Sequence, residues 1–154
     1  MKVTLAAIGL RARSSGPSRA SDFEHLVDTY LARTAAFAEV ETAVFRSAEA
    51  FFEAADRQRS RTGSLVVLLD GRGKRFSSEE FARWIGSMRD EGQQRIVFAI
   101  GPADGWSEAE RARAHLLLSL GPMTLPHELA RVVLSEQVYR AFTILAGHPY
   151  HTGH

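Results

Sequence analysis

The chain has 154 residues, of which 45% are hydrophobic and 24% charged, and its formal net charge is +1 at pH 7. This composition is typical of a soluble globular protein, and the length fits one domain, 1–154, with a sizeable core. The chain has no cysteine, which excludes disulfides and thiolate metal sites, and no apolar run long enough to span a membrane, so the cytoplasm is the default compartment.

Strands and helices are predicted to alternate along the whole chain, each bounded by turn or capping residues. In chain order they are a strand over residues 2–9, a loop over 10–21, a helix from Ser21 or Asp22 to about Arg33, a strand over 38–45, a helix capped by Ser47 and ending near Arg57, a strand over 64–69, a helix over 77–92, a strand over 95–100, a helix from Ser107 to about His115, a strand over 116–120 and a helix over 127–146.

Two of these strands, residues 64–69 and 95–100, are continuously apolar, which is typical of parallel strands covered on both faces. The alternation of strands and helices predicts a single-domain α/β fold with a mainly parallel sheet and helices on both of its faces. No repeat, low-complexity segment or linker divides the chain.

Three of the predicted strand-end loops are rich in glycine or proline: residues 69–74, 100–105 and 121–126. In open parallel sheets, ligands bind beyond the carboxyl ends of the strands, so these loops predict one shared cleft, although each also fits an ordinary turn. The run from Gly71 to Lys74 is no P-loop, because Leu68 stands where the first glycine belongs. A dinucleotide fingerprint is also absent.

The last predicted helix is apolar around most of its circumference. One interpretation is that part of this surface forms a subunit interface, which predicts a homodimer; the other is a central core helix within one chain. His127, at the start of this helix, either packs on the preceding loop or makes an orienting hydrogen bond in the cleft.

Charge is distributed unevenly along the chain. Residues 1–75 carry 12 Lys and Arg against 9 Asp and Glu, a net charge of +3, whereas residues 76–154 carry 7 against 9, a net charge of −2. Arginine predominates among the cations, and arginine clusters suit phosphate contacts, although each cluster also fits a solvated surface. A near-neutral chain is not expected to grip free nucleic acid strongly.

The runs T-L-P-H-E-L-A-R-V, E-Q-V-Y-R-A and H-P-Y-H occur at consistent spacing in the last third of the chain. Together they resemble the C-terminal signature of the ribosomal RNA large subunit methyltransferase H family, whose members are small SPOUT-class enzymes that use S-adenosylmethionine. The resemblance covers the whole chain in length and is strong from about Arg95 onward. It implies a C-terminal trefoil knot, a homodimer, and methylation at N3 of a pseudouridine in 23S ribosomal RNA within the assembled ribosome, with no membrane or DNA partner.

The resemblance also implies which residues hold S-adenosylmethionine, by backbone groups and apolar walls and without a metal. These residues belong to the three loops above: Leu69, Asp70, Gly101, Pro102, Gly105, Gly121, Pro122, Met123, Thr124, Leu125 and Pro126.

Catalytic roles are predicted for Arg140, His148, Tyr150 and His151. Methylation at N3 of a uracil-type base requires that the nitrogen lose its proton, which a His base or a cation beside the developing oxyanion favours. Arg140 also lies four residues after Glu136, the spacing of a helix ion pair. For the C-terminal tail, residues 147–154, three interpretations stay open: a substrate-facing tail, a disordered or tag-like tail, and a zinc site of His148, His151 and His154.

The chain departs from the family pattern at three places. Pro102 replaces a glycine and removes a backbone donor, Thr152 stands where a basic residue is common, and a Lys-Gly-Lys segment before the second helix is absent. These departures motivate an alternative function: a non-catalytic, ribosome-docking dimer, or a methyltransferase acting on transfer RNA.

Overall fold

The structure is a computed structural model that describes residues 1–9 and 19–152, with the side chains of residues 19–21, 59, 60 and 62 left aside. Its elements, in chain order, are β1 (Lys2–Ile8), α1 (Arg19–Thr34), β2 (Glu39–Phe45), α2 (Ala48–Thr62), β3 (Leu65–Arg75), α3 (Ser78–Asp90), β4 (Arg95–Ile100), α4 (Glu108–Arg111), β5 (Leu116–Ser119), α5 (His127–Leu145) and a 3-10 turn, Pro149–His151. The five strands form one sheet in the order β2-β1-β4-β3-β5, and every neighbouring pair is parallel. The predicted fold class is confirmed.

Alternate residues of the central strands point to opposite faces of the sheet and supply two cores. On one face, Val67 and Phe98 pack with residues of α3 and α5, while on the other face Leu68 and Ala99 pack with Phe51 of α2. The sheet is therefore buried on both sides, as its continuously apolar strands predict.

Helix α5 lies between α1 and α3 on the first face and is buried within the single chain. Val138 is 1% exposed and Phe142 is 3% exposed, and both belong to the core of that face. The helices approach closely enough that a side chain at Gly86 of α3 would collide with Leu145. Most of the broad apolar surface of α5 therefore belongs to the core. For that part of the helix, the interpretation as a central core helix is favoured over a subunit interface.

Several element ends differ from the predicted ones. Helix α1 already includes Arg19, and α2 continues past Arg57 to Thr62. Helix α4 stops at Arg111 because His115 is drawn to the edge of β3, where its amide donates to the carbonyl of Val66 and its Nδ1 accepts from the Val66 amide. The predicted loop over residues 10–21 falls mostly outside the described residues, and the trefoil knot stays a prediction.

Strand β3 does not end at Leu69 but leaves the sheet and returns. Leu118 of β5 pairs first with Leu69 and again with Lys74, so Asp70–Gly73 loops out between the two pairings. The return requires glycine, since a side chain at Gly73 would lie 2.5 Å from the backbone of Leu117. This excursion places a loop at the carboxyl ends of the central strands.

Candidate active site

A cavity of about 570 Å³ opens at the carboxyl ends of β4, β3 and β5, which are neighbours in the sheet. We call it the strand-end cavity. Its lining includes the predicted cofactor residues of all three loops except Pro126, which lies at the exposed start of α5: Leu69, Asp70, Gly101, Pro102, Gly105, Gly121, Pro122, Met123, Thr124 and Leu125. The loops that the sequence predicts to share a cleft are brought together.

The β3 excursion is held by an ionic network with α4. The carboxylate of Asp70 accepts from Nε of Arg111 at 2.7 Å and from the amide of Arg72 at 2.8 Å, while Glu108 pairs with both arginines. Burial acts to raise the pKa of Asp70, but these hydrogen bonds and the two positive charges outweigh it and leave the pKa below its usual value. Asp70 is therefore an anion at neutral pH, and its charge is committed to shaping the loop.

Trp106 is a cavity residue that sequence reasoning missed. Its side chain is 4% exposed, its indole N–H donates to the carbonyl of Leu69 at 3.0 Å, and its ring lies against Gly101. A large aromatic residue directly after a glycine-rich strand-end loop, and before the capping box at Ser107, was the signal that would have identified it.

His127 connects the β4 loop to α5. Its Nε2 lies in hydrogen-bonding contact with the carbonyl of Gly101, and since a carbonyl only accepts, Nε2 carries the proton. The sequence left two roles open for His127, packing on the preceding loop or an orienting hydrogen bond in the cleft. The contact supports the hydrogen bond, which His127 makes to the β4 loop.

The cavity suits S-adenosylmethionine in size and lining. Drug-sized ligands occupy sites of about 300–1,000 Å³ with mostly apolar walls and a few polar groups. Here Leu69, Ile100 and Leu125 supply apolar wall. Gly105 and Gly121 adopt positive φ angles of 81° and 127°, which let the loops turn their backbone toward the cavity without a side chain in between.

Arg140 and Tyr150 form one assembly around Glu136. The carboxylate Oε1 of Glu136 accepts from Nη2 of Arg140 at 2.6 Å and from the phenol of Tyr150 at 3.1 Å, and the guanidinium lies 5.0 Å from the centre of the Tyr150 ring. Burial, and next the negative charge of Glu136, raise the pKa of Tyr150 to about 12. The helix ion pair predicted for Arg140 is confirmed, and the phenol keeps its proton at physiological pH.

The C-terminal tail folds back onto the end of α5. Gly147 adopts a φ of 70°, and the amide of His148 donates to the carbonyl of Thr143, an arrangement typical of helix ends with a left-handed glycine. Tyr150 packs on Tyr139 with ring centres 4.6 Å apart. The described part of the tail, residues 147–152, thus packs on its own helix, which favours a structured tail over the tag-like interpretation for that part.

The two tail histidines take part in local hydrogen bonds. Nδ1 of His148 accepts from the amide of Tyr150, and Nδ1 of His151 donates to the carbonyl of His148. The zinc hypothesis also needs His154, which lies outside the described residues; within residues 1–9 and 19–152 no group of three His, Cys, Asp or Glu is arranged to hold a metal.

Within one chain, the predicted catalytic residues are far from the strand-end cavity. His127 lines the cavity at the first residue of α5, and Arg140 stands 13 positions later on the same helix. A rise of about 1.5 Å per residue separates them by about 20 Å along the helix axis. The structure brings together the predicted cofactor residues and, separately, the predicted catalytic ones.

Comparison with known proteins identifies the family. A family described as predicted SPOUT methyltransferase matches residues 1–151. A ribosomal RNA large subunit methyltransferase H from Koribacter versatilis is 48% identical over 145 residues, covering 94% of this chain and 99% of its own. The protein of that name from Brucella ovis is 42% identical over 174 residues, covering 98% and 99%. The chain belongs to the methyltransferase H family.

Two solved structures share the fold of this methyltransferase H family member. A probable methylase family protein from Haemophilus influenzae aligns with a TM-score of 0.60 at 15% identity, over 94% of this chain and 66% of that one. The SpoU methyltransferase AviRb from Streptomyces viridochromogenes, in complex with the cofactor AdoMet, aligns with a TM-score of 0.50 at 12% identity, over 96% and 61%. The chain thus spans less than two thirds of each solved chain. Among the described helices, none is long and apolar enough to cross a membrane.

Proposed function

We propose that the protein transfers a methyl group from S-adenosylmethionine to N3 of a pseudouridine in 23S ribosomal RNA, on the assembled ribosome. Membership of the methyltransferase H family supports the reaction and the RNA class. The proposal that S-adenosylmethionine is the cofactor rests on the cavity of about 570 Å³ formed by three neighbouring strand-end loops.

The strand-end cavity would hold the methyl donor, which when bound supplies an electrophilic methyl group. The task of the chain is to orient this group and to exclude water from it. Leu69, Ile100 and Leu125 form apolar wall, and the backbone of the glycine-rich loops offers donors and acceptors for a nucleoside. The carboxylate and the imidazole that we find at the cavity wall already have partners, since Asp70 pairs with Arg111 and Nε2 of His127 donates to the carbonyl of Gly101. We therefore assign activation of the acceptor to residues outside the cavity.

Arg140 is the group that we assign to activation of the acceptor. Removing the N3 proton of a uracil-type base places negative charge on the neighbouring carbonyl oxygens, and a fixed guanidinium stabilises that charge. Arg140 is held by Glu136 and stacked on Tyr150, so it is pre-oriented. Tyr150 does not serve as the base, because its pKa of about 12 keeps the phenol protonated. His151 is the candidate for accepting the proton.

A homodimer would unite the two halves of the site. The outward face of α5 carries Leu129, Val132 and Val133, and the same face carries Glu136 and Arg140 one and two turns later. We call the three apolar residues the α5 strip. If two copies pack antiparallel along this face, Arg140 and the tail of one copy lie beside the start of α5 in the other, where the cavity opens.

The family and the charge distribution support the ribosome as substrate over free RNA. The chain has a net charge of only +1, and its described strands form a single sheet. Free RNA would be held weakly by such a protein, whereas an assembled particle presents a shaped surface on which several small contacts share the work.

The function is tested with labelled S-adenosylmethionine. Ribosomes from a strain lacking the modification, and separately a transfer RNA pool, are incubated with the protein, and the labelled nucleoside is identified by mass spectrometry. We expect label in 23S RNA as N3-methylpseudouridine. Label in transfer RNA alone would support the altered-substrate alternative. No label anywhere, together with no calorimetric binding of S-adenosylhomocysteine, would establish the non-catalytic one.

A further inference from the structure

The indole of Trp106 occupies the junction between two of the three cavity loops. It follows the exposed turn that Pro102 and Gly105 close by a backbone hydrogen bond of 2.8 Å, and it precedes the cap of α4. It is nevertheless only 4% exposed, and it lines the strand-end cavity. A tryptophan in this position contacts both the core of the protein and the site.

The polar end of the indole fixes the β3 loop. Its N–H donates to the carbonyl of Leu69 at 3.0 Å, and Leu69 is the last residue that pairs with β4 before the chain leaves the sheet. A carbonyl at such a break requires a donor from outside the strand ladder. The direction in which the β3 excursion departs is therefore coupled to the orientation of Trp106.

The face of the same ring fixes the β4 loop. A Cβ placed on Gly101 would lie 2.8 Å from the indole carbon Cε2 and from Nε1, so the backbone of Gly101 rests directly on the ring. Gly101 does not have a positive φ. The contact with Trp106 is thus what requires glycine at this position.

The ring of Trp106 also contacts the core. Phe51 and Phe52 of α2 lie 6.1 Å and 6.0 Å from Trp106 between ring centres. Rings buried at these separations interdigitate and leave little freedom for the indole to tilt. A rigid ring transmits its position to both loops.

We infer that Trp106 is a positioning residue of the methyl-donor site: it sets the β3 and β4 loops at the separation that binds the nucleoside part of S-adenosylmethionine. This inference rests on the proposed function. It makes cofactor affinity depend on Trp106, a buried side chain that supports the two loops. The residue acts through the backbone of Leu69 and Gly101 and takes no part in the chemical step.

Calorimetric titration with S-adenosylhomocysteine tests the inference directly. Trp106→Phe keeps an aromatic ring and removes the N–H, and we expect its Kd to rise about five- to ten-fold, as for the loss of one hydrogen bond that fixes the pocket. Trp84→Phe is the matched control, because Trp84 packs on Phe81 and Phe98 on the other face of the sheet and should leave Kd unchanged. A Kd for Trp106→Phe within two-fold of wild type would overturn the inference.

Kinetics separate positioning from a general loss of structure. With ribosomes as substrate, Trp106→Phe should raise KM for S-adenosylmethionine and leave kcat at saturation nearly unchanged. A loss of kcat at saturating donor would assign the defect to folding or chemistry and overturn the positioning role. Thermal melts show that binding is measured on folded variants. If wild type itself does not bind S-adenosylhomocysteine, it is the proposed function that fails.

A double-mutant cycle shows whether Gly101 and Trp106 act together. Gly101→Ala should weaken binding in the wild-type background, because the new methyl group must displace the indole. In a Trp106→Leu background the smaller side chain leaves room, so the same change should weaken binding much less. Equal effects of Gly101→Ala in the two backgrounds would mean that the methyl group acts on the ligand itself, and the coupling would be disproved.

Discussion

At the scale of single residues, Asp70 carries a charge that holds the conformation of the β3 excursion. Its side chain is 7% exposed and pairs with Arg111 at 2.7 Å. The family resemblance implies that Asp70 is a cofactor residue, and Asp70 does line the cavity. Its carboxylate, however, faces α4, so its effect on binding runs through the conformation of the β3 excursion.

We therefore predict that Asp70→Asn lowers the melting temperature by about 2–4 °C at pH 7. Burial acts to raise the pKa of Asp70, but the hydrogen bond from Arg111 and the nearby positive charges outweigh it, so the folded pKa lies below the unfolded value of 3.8. The stabilisation of the folded state is therefore present above pH 3.8 and is lost as the pH falls through the folded pKa. The difference between wild type and variant should be constant from pH 5 to pH 8 and shrink below about pH 4. Asp104→Asn, on the exposed neighbouring loop, is the control; a difference that grows on acidification would contradict the assignment.

Tyr150 leads to a prediction about the pH dependence of activity. Burial and the charge of Glu136 raise its pKa to about 12, so it does not ionise between pH 6 and pH 10. Tyr150→Phe should keep the shape of the pH profile of kcat and lower kcat by less than about ten-fold, since the ring still stacks on Arg140. Tyr150→Ala, which removes the ring, should cost more. An alkaline limb below pH 10 that vanishes in Tyr150→Phe would show that the phenol is the base.

At the scale of elements, α5 combines a buried face and an outward face, and each responds differently to a charge. Val138 and Phe142 belong to the apolar surface for which the sequence allows a subunit interface, but both lie in the core of the single chain. Val138→Asp buries an unpaired charge and should destabilise folding by at least about 3 kcal/mol. Such a variant reports on folding and not on association.

The test of association belongs on the α5 strip. Leu129 is 36% exposed, so Leu129→Asp should leave the melting temperature within a few degrees of wild type and convert dimers to monomers in sedimentation at micromolar concentration. Leu26→Asp is a matched control, because Leu26 is 43% exposed and belongs to α1, not to the strip. Dissociation by both changes, or by neither, would place the interface elsewhere.

All the described strands and helices, and their parallel arrangement, were predictable because their signals are local. Apolar runs mark β3 and β4, and serine caps mark the starts of α3 and α4. Element ends were less predictable where tertiary contacts decide them: α4 stops short because His115 bonds to the β3 edge. The sequence also could not tell which side of α5 faces the core, because α1 and α3 cover it from distant parts of the chain.

In the candidate site, too, some features were predictable from the sequence and others depend on tertiary contacts. The convergence of three loops follows from the topology, since the carboxyl ends of parallel strands meet at one edge. The bond from Trp106 to Leu69 joins residues 37 positions apart and has no local signal beyond an isolated aromatic residue. The packing of Tyr150 on Tyr139 was equally unpredictable, because it depends on the reversal of the chain at Gly147.

At the scale of the whole molecule, the distance between the two halves of the site is the main constraint. About 20 Å of α5 separates the cavity from Arg140 in one chain, and the tail folds back against its own helix. A methyl transfer needs its reacting atoms within about 3.5 Å, so if Arg140 activates the acceptor as we propose, one copy alone would not assemble the site. In the proposed homodimer, a two-fold partner packed along the α5 strip would bring Arg140 of each copy beside the cavity of the other.

Complementation between two inactive variants tests this arrangement. Arg140→Ala removes the activating cation, and Ala130→Trp fills the cavity from the first turn of α5 and should abolish S-adenosylhomocysteine binding. Each homodimer should be inactive. When the two variants are co-expressed, half of the dimers are mixed, and each mixed dimer contains one site with an open cavity and an intact Arg140 from the partner. The mixture should then show roughly a quarter of wild-type activity per chain. If the site lay within one chain, no mixture would recover activity, because every chain would carry one of the two lesions.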